Sequence, residues 1–312
     1  METSILQSVI FKVLKYMLIV IVSLILLAVI LVSIGYFYGS RHFVVREQTI
    51  EFDQLPDAFD GYRICQFSDF HAYAFHRGHE EDVQKVVDLI NAQQCDLIVF
   101  TGDLVTIQSK ELDGFMEQLS QLSAPDGVIS IMGNHDYGMY QRQFTKAQRR
   151  ADIKSLYQRQ RDLGWTLLLN EHTVIRRGDD SLVVIGVEND GTPPHFPRFA
   201  DLKKAMHGVD STSFQVMLSH DPTHWRRAII PETNAHLTLS GHTHAGQFKI
   251  FGWSPVTMVY KEWTGLYSNQ KTTTDGQTLT QYLHISEGVG CVPIPFRIGA
   301  WPEICVLTLK KK

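Results

Sequence analysis

The stretch Val128-Ile129-Ser130-Ile131-Met132-Gly133-Asn134-His135-Asp136 decides how this chain is read. Five β-rich residues, mostly apolar, are followed at once by an amide, an imidazole and a carboxylate. Four other runs obey the same rule. Arg63–Ser68 leads into Ser68-Asp69-Phe70-His71, and Leu97–Thr101 into Thr101-Gly102-Asp103. Phe214–Ser219 leads into Ser219-His220-Asp221, and His236–Ser240 into Gly241-His242-Thr243-His244. A sixth run, Leu182–Val187, precedes Glu188, Asn189 and Asp190. Helical spacing lies between several of them. His79–Gln93 sets Val83, Val86, Val87 and Ile90 three and four residues apart, and Lys110–Leu122 and Lys146–Leu163 have similar patterns. Strands alternating with helices predict an α/β domain with much parallel pairing. The last third carries the strands Leu279–Ile285 and Ile304–Leu309 with little helix between them, which suggests a second sheet packed on the first.

In an open α/β sheet, the loops beyond the carboxyl ends of the strands converge on one crevice. The five polar clusters are therefore expected to meet. Asp69, His71, Asp103, Asn134, His220, His242 and His244 offer carboxylate, imidazole and amide donors, which suit divalent ions such as Mn, Fe or Zn. No thiol joins them, which argues against a structural zinc site. Seven donors are too many for one ion and suit two ions ~3.5–4 Å apart, the spacing used to clamp a transferring phosphoryl group. Taken singly, an Asp-x-His triplet could be a surface loop, Gly-Asp a turn and His220 a core histidine. The combination, each member after an apolar run, carries the functional reading.

The amino-terminal 40 residues differ from the rest. Tyr16 to Tyr38 holds no charge, is almost all Ile, Leu, Val and Met, and ends in Tyr36, Phe37 and Tyr38. Its length fits a membrane-spanning helix, and it is too long for the apolar part of a cleavable signal peptide. Lys12 and Lys15 before it and Arg41 and Arg46 after it leave the side of the membrane undecided. The net charge of −4 offers no basic excess for nucleic acid, which is not expected as a partner. Cys65, Cys95, Cys291 and Cys305 lack metal spacing and are expected as buried thiols.

The series Asp-x-His, Gly-Asp, Gly-Asn-His-Asp, a lone His and Gly-His-x-His resembles the calcineurin-like metallophosphoesterases over about residues 60 to 309. Within that group, Gly241-His242-Thr243-His244-Ala245-Gly246-Gln247 and the tail Gly288-Val289-Gly290, Arg297-Ile298 and Pro302-Glu303-Ile304 resemble the membrane-associated bacterial branch that includes UDP-2,3-diacylglucosamine pyrophosphatases. Ala245 stands where that branch has glycine. The resemblance implies a four-layer α/β/β/α sandwich of two mixed sheets. It implies that Asp69, His71 and His244 hold one metal, Asn134, His220 and His242 the other, and that Asp103 bridges both. His135 would stabilise the phosphoryl charge and assist the leaving oxygen, with Asp136 orienting its ring.

The expected division is an anchor at 1–40, a connecting segment at 41–60 and the catalytic domain at 61–312. The expected protein is a single-pass membrane phosphoesterase in which hydroxide activated by two divalent ions attacks a phosphodiester or pyrophosphate. By analogy the substrate is lipid-linked, as in lipid A biosynthesis. The rivals are a phosphodiesterase for soluble nucleotides and a catalytically silent binding module on the same fold. His76, His79 and Glu188 to Asp190 are further candidates for the crevice. Trp253, Met258, Tyr260, Trp263 and Tyr267 are candidates for core packing or for a surface facing the membrane or an acyl chain.

Overall fold

A computed structural model describes residues 2–76, 78–192, 196–273 and 276–312. It opens with one long helix, α1 (Glu2–Phe37), whose side chains stand exposed along almost its whole length. The helix begins well before the apolar run, and Leu6–Arg41 is long and apolar enough to cross a membrane.

The first sheet follows. Its strands are β1 (Val44–Phe52), β2 (Arg63–Phe67), β3 (Leu97–Phe100), β4 (Val128–Ser130) and β5 (Thr166–Leu167). The second sheet is built from β6 (Glu171–Arg177), β7 (Asp180–Gly186), β8 (Phe214–Leu218), β9 (Leu237–Ser240), β10 (Gly265–Thr272) and β11 (Thr278–Ile285). The last strand, β12 (Glu303–Lys311), does not stay in the second sheet as the sequence suggested. It returns to the first, where it pairs parallel to β1 and antiparallel to β2. The stretch 41–60, expected as a connector, contains β1, which pairs with β12 along all nine of its residues. That strand escaped sequence reading because its centre, Arg46–Thr49, is polar and exposed at the edge of the sheet.

Both sheets are mixed, and their inner faces share one core. Period-two alternation builds it. Along β3, Leu97 and Val99 face the second sheet while Ile98 and Phe100 face helices. Along β7, Leu182 and Val184 point inward while Val183 and Ile185 point to the outer core with Trp225 and Ile229. On the far side of the first sheet lie α2 (Glu80–Asn91), α3 (Met116–Leu119) and α4 (Lys146–Asp162). Three cores between four layers make the α/β/β/α sandwich. The periodic stretches at 79–93 and 146–163 are the helices α2 and α4, but 110–122 yields only short turns of helix. Gln66, fully buried on β2, ties the sheets together: its amide donates to Ser240 O at 2.8 Å, and its oxygen lies 2.8 Å from His284 Nδ1. All four cysteines are buried and free.

β2, β3 and β4 run parallel to one another, as do β8 and β9. Their carboxyl ends therefore face the same edge of the sandwich.

A chain beginning at Arg41 should keep β1 and fold, whereas one beginning at Gln54 should not. The longer truncation uncovers β12 and removes the buried Ile50 and Phe52. Size-exclusion chromatography and thermal unfolding check this, with a cooperative monomeric transition expected for the first chain and aggregation for the second.

Candidate metal centre

The five loops beyond those strand ends bring all seven candidate donors together. His71 Nε2 lies 3.1 Å from His244 Nε2, and Asp69 Oδ1 lies 3.3 Å from His244 Nε2. On the other side, Asn134 Oδ1 lies 2.7 Å from His242 Nδ1 and 3.2 Å from His220 Nε2. Asp103 stands between the groups. Its Oδ2 is 3.1 Å from His220 Nε2 and 3.7 Å from His71 Nε2. Its Oδ1 is already taken, accepting the His135 backbone N–H at 2.8 Å. A single oxygen, not two, thus faces both groups.

Bonds on the outer side of the cluster turn several of these donors inward. His220 Nδ1 donates to Thr101 O at 2.7 Å, which turns Nε2 toward Asp103. Asn134 donates its amide to the Tyr140 hydroxyl at 2.9 Å and so turns its oxygen toward the cluster. His242 turns Nδ1 inward, while its Nε2 contacts the Tyr260 hydroxyl at 2.8 Å and Asp221 Oδ2 at 3.4 Å. Carboxylates and imidazoles packed this closely call for positive charge among them, from protons or from metal cations. The donor set fits divalent ions, and Asp69, His71 and His244 as well as Asp103, His220 and His242 form clusters that could each hold one.

Electrostatics agree. Burial disfavours an ionised Asp103, but neighbouring His220 and His135 outweigh it and hold the carboxyl well below the usual carboxylate range. Burial likewise disfavours a charged His220, yet Asp103 wins and lifts it to about 10. His71 and His244 are held well below their ordinary value, chiefly by burial. Burial pushes Asp69 up to about 6.

Backbone geometry shows how tightly this is enforced. Asp69, His71, Asp103, His242 and His244, five of the seven donors, have positive φ between 47° and 74°. Such conformations cost about 1–3 kcal/mol each for residues with a Cβ and persist only where neighbours impose them. Here loop-to-loop bonds do so: Asp69 N–H donates to Gly102 O at 2.9 Å, and His71 N–H to Asp103 O at 3.1 Å. Two glycines permit the approach. A Cβ on Gly133 would lie 2.2 Å from Asp103 Oδ1, and one on Gly241 would lie 2.0 Å from Ser68 Oγ.

His135 sits at the rim. Its Nδ1 is 2.7 Å from Thr106 O, its ring stacks on Tyr140 at 4.1 Å, and a ring nitrogen also comes within 4.8 Å of His71 and Asp103 donors. The expected contact between Asp136 and the His135 ring is not made. Asp136 is buried and accepts the backbone N–H groups of Asp103, Gly133 and Val105 at 2.8, 2.9 and 3.1 Å. It fastens two metal-site loops together; Thr106, which the sequence did not mark, orients the imidazole.

The other polar candidates lie elsewhere. His76 contacts Glu111 O and stacks on Phe115; His79 approaches Asp82. Glu188 binds Tyr137 and Asn170, Asn189 donates to Pro197 O, and Asp190 pairs with Arg227. Of the aromatic group only Tyr260 reaches the crevice, a cavity of about 310 Å³ walled by Tyr140, Phe196, Tyr260 and Val292 above the donors. Besides Thr106, sequence reading missed three supporting residues. Asp221 was visible beside His220, but Tyr140 had no signal and Arg297 appeared only as part of the tail. Arg297, fully buried, donates to Glu287 O, Gly290 O and Ala300 O, and to His244 Nδ1 at 3.1 Å.

The sequence profile of the calcineurin-like phosphoesterases matches residues 62–246. The chain belongs to that family, whose members are metal-dependent phosphoesterases. It is 31% identical over 278 residues to an uncharacterised metallophosphoesterase, YkuE, of Bacillus subtilis, covering 85% of this chain and 84% of that one. It is 29% identical to an uncharacterised metallophosphoesterase of Aquifex aeolicus, covering 86% and 92%. It is 26% identical to a protein of Danio rerio described as a transmembrane protein with metallophosphoesterase domain, covering 84% of this chain and 56% of that one.

Asp221→Asn should weaken divalent-ion binding, because His242 loses its carboxylate partner. A loss of about 10–100-fold in affinity is expected by isothermal titration with Mn. Unchanged affinity would remove Asp221 from this role.

Proposed function

We propose that this protein is a dinuclear-metal hydrolase of a phosphodiester or pyrophosphate at a membrane. The observation that carries the reading is the pair of donor groups meeting at Asp103 Oδ2. Asp69, His71 and His244 would hold one ion, Asn134, His220 and His242 the other, and Asp103 both. When bound, the ions supply Lewis-acid activation of water and neutralise phosphoryl charge.

The chain's own residues supply the rest. Thr106 O accepts the His135 Nδ1–H in either charge state of the ring, so Nε2 is the atom that handles a proton. At the cavity rim it can donate to the departing oxygen and bind the charge that develops there. Tyr140 stacks on that ring and holds the Asn134 amide, which keeps acid and donor in register. The cavity lining contains no Lys or Arg among the described residues. That favours a phosphorus bearing one negative charge, as in a diester or substituted pyrophosphate, over the doubly charged monoester. The helix α1, and relatives described as transmembrane proteins, support a substrate at the bilayer. A lipid-linked compound of the UDP-2,3-diacylglucosamine kind belongs to that class.

The test is a hydrolysis screen of the full-length, Mn-loaded protein on diester, monoester and lipid-pyrophosphate substrates. Diester or pyrophosphate turnover and about two ions per chain are expected. Turnover that survives complete metal removal would sink the reading.

His135→Ala should keep both ions and lose turnover by about 10²–10⁴-fold. His220→Ala and Asp103→Asn should lower metal content, with Asp103→Asn the more damaging. Elemental analysis beside steady-state rates separates the two classes, and metal loss in His135→Ala equal to that in His220→Ala would merge them.

A further inference from the structure

The end of the long helix is clamped to the body of the protein, not strung from it. Gly35 and Gly39 lie on one face of the chain's exit from α1, four residues apart. A Cβ on Gly35 would meet the Phe296 ring at 2.4 Å, and one on Gly39 would meet Arg297 O at 1.9 Å. The Arg297 N–H donates to Gly35 O at 3.0 Å. A small-xxx-small face that could serve helix pairing is thus filled by this chain's own 296–298 segment. Tyr38 and His42 pack edge-on against Trp301, and Arg41 binds buried Asp82 at 2.6 Å. Tyr36 to Tyr38 close the apolar run, the place where aromatic side chains mark the water interface. Whatever packs against Gly35 and Gly39 is therefore held at that level.

The segment packed there carries a second feature. Ile298 N–H donates to Gln247 O at 3.0 Å and Lys249 N–H to Ile298 O at 2.7 Å, so the turn 250–253 grows directly from the clamp. Phe251 at its tip has φ of 51° and is fully exposed. Met258 is 84% exposed, Val259 68%, Ile294 56% and Trp253 53%; no other described large apolar side chain beyond residue 43 exceeds 49%. These five side chains lie on the 249–259 and 292–296 loops, a shelf tied by hydrogen bonds to the segment packed on that helix end. Water penalises such a patch. The same shelf walls the metal cavity. Gln247 and Val292 line the cavity, and Gln247 accepts the Val292 N–H at 2.6 Å and donates to Ile294 O and Phe296 O.

We propose that the 249–259 and 292–296 loops are a bilayer-docking surface. Phe251, Trp253, Met258, Val259 and Ile294 sit in the interfacial layer of the membrane that α1 spans. The metal cavity opens there toward an amphiphilic phosphoester, whose head group enters past Gln247 and Val292 while its apolar part stays over the shelf. The occupant is the lipid surface, because the shelf is continuous with the helix that crosses it. The substrate half of the proposal rests on the phosphoesterase reading; the docking half does not.

Two measurements test them separately. Full-length protein in phosphatidylcholine–phosphatidylglycerol liposomes, nitroxide-labelled at Phe251→Cys or Met258→Cys, should show greater accessibility to oxygen than to a water-soluble nickel chelate. A label at Lys154→Cys on the exposed face of α4 should show the reverse. Labels at 251 and 258 that match the Lys154 control, or that are closed to both probes as under a protein partner, would overturn the docking surface. In the second measurement, Phe251→Glu/Met258→Glu should cut hydrolysis of a bilayer-embedded lipid phosphodiester by about tenfold, since interfacial attachment scales with buried apolar area. Its rate on soluble bis(p-nitrophenyl) phosphate should be unchanged. Equal losses on both substrates would overturn the entry route. A wild-type protein inert on both would refute the phosphoesterase reading while leaving the label result to decide docking.

Discussion

Everything at the functional edge of this protein depends on the crowding of lone pairs around one carboxylate oxygen, Asp103 Oδ2. Two imidazoles approach it, and each belongs to a group of candidate donors. The cluster stays together because the loops that carry it are bonded to one another by backbone groups, and because outer atoms of His220, Asn134 and His242 are committed to Thr101 O, Tyr140 and Tyr260. The carboxylates, imidazoles and amide gathered there fit divalent cations.

The strained backbone follows from the same demand. A strand ends, and within one or two residues its side chain must point back over the sheet edge. Positive φ achieves that turn at five donor positions, and glycine at 133 and 241 lets the neighbouring loop pass close enough. Asp136 answers the cost by binding three N–H groups from two loops at once. Its carboxylate, expected near the reacting histidine, is spent on holding the scaffold still. Burial and the neighbouring Asp103 push this carboxyl up to about 8, and the N–H groups of Gly133 and Val105 act against that rise.

The segment 287–301 links two parts of the molecule that look independent in the sequence. It packs on the end of α1, it pins the Ser68–Asp69 loop through Val289 N–H and Gly290 N–H, and it presents Arg297 to His244. Lys249 and Glu287 pair across it. The helix end, the apolar shelf and one wall of the metal cavity are thereby a single hydrogen-bonded unit. Orientation of the site relative to the helix is a property of packing there and not of a linker.

The five strand-end motifs were legible without any structure, because each needed only an apolar run and a polar tail. So were α1, α2, α4 and the buried thiols, whose signals are periodicity and apolarity. The edge strand β1 and the return of β12 to the first sheet were not, since strand pairing across more than 250 residues leaves no local mark. Tyr140 and Thr106 escaped for the same reason: their roles come from where loops land. The residue types that can bind cations were written in the chain. Which oxygen of Asp103 faces both groups, what Asp136 holds, and how the helix end meets the cavity wall were decided only when distant loops were packed into van der Waals contact.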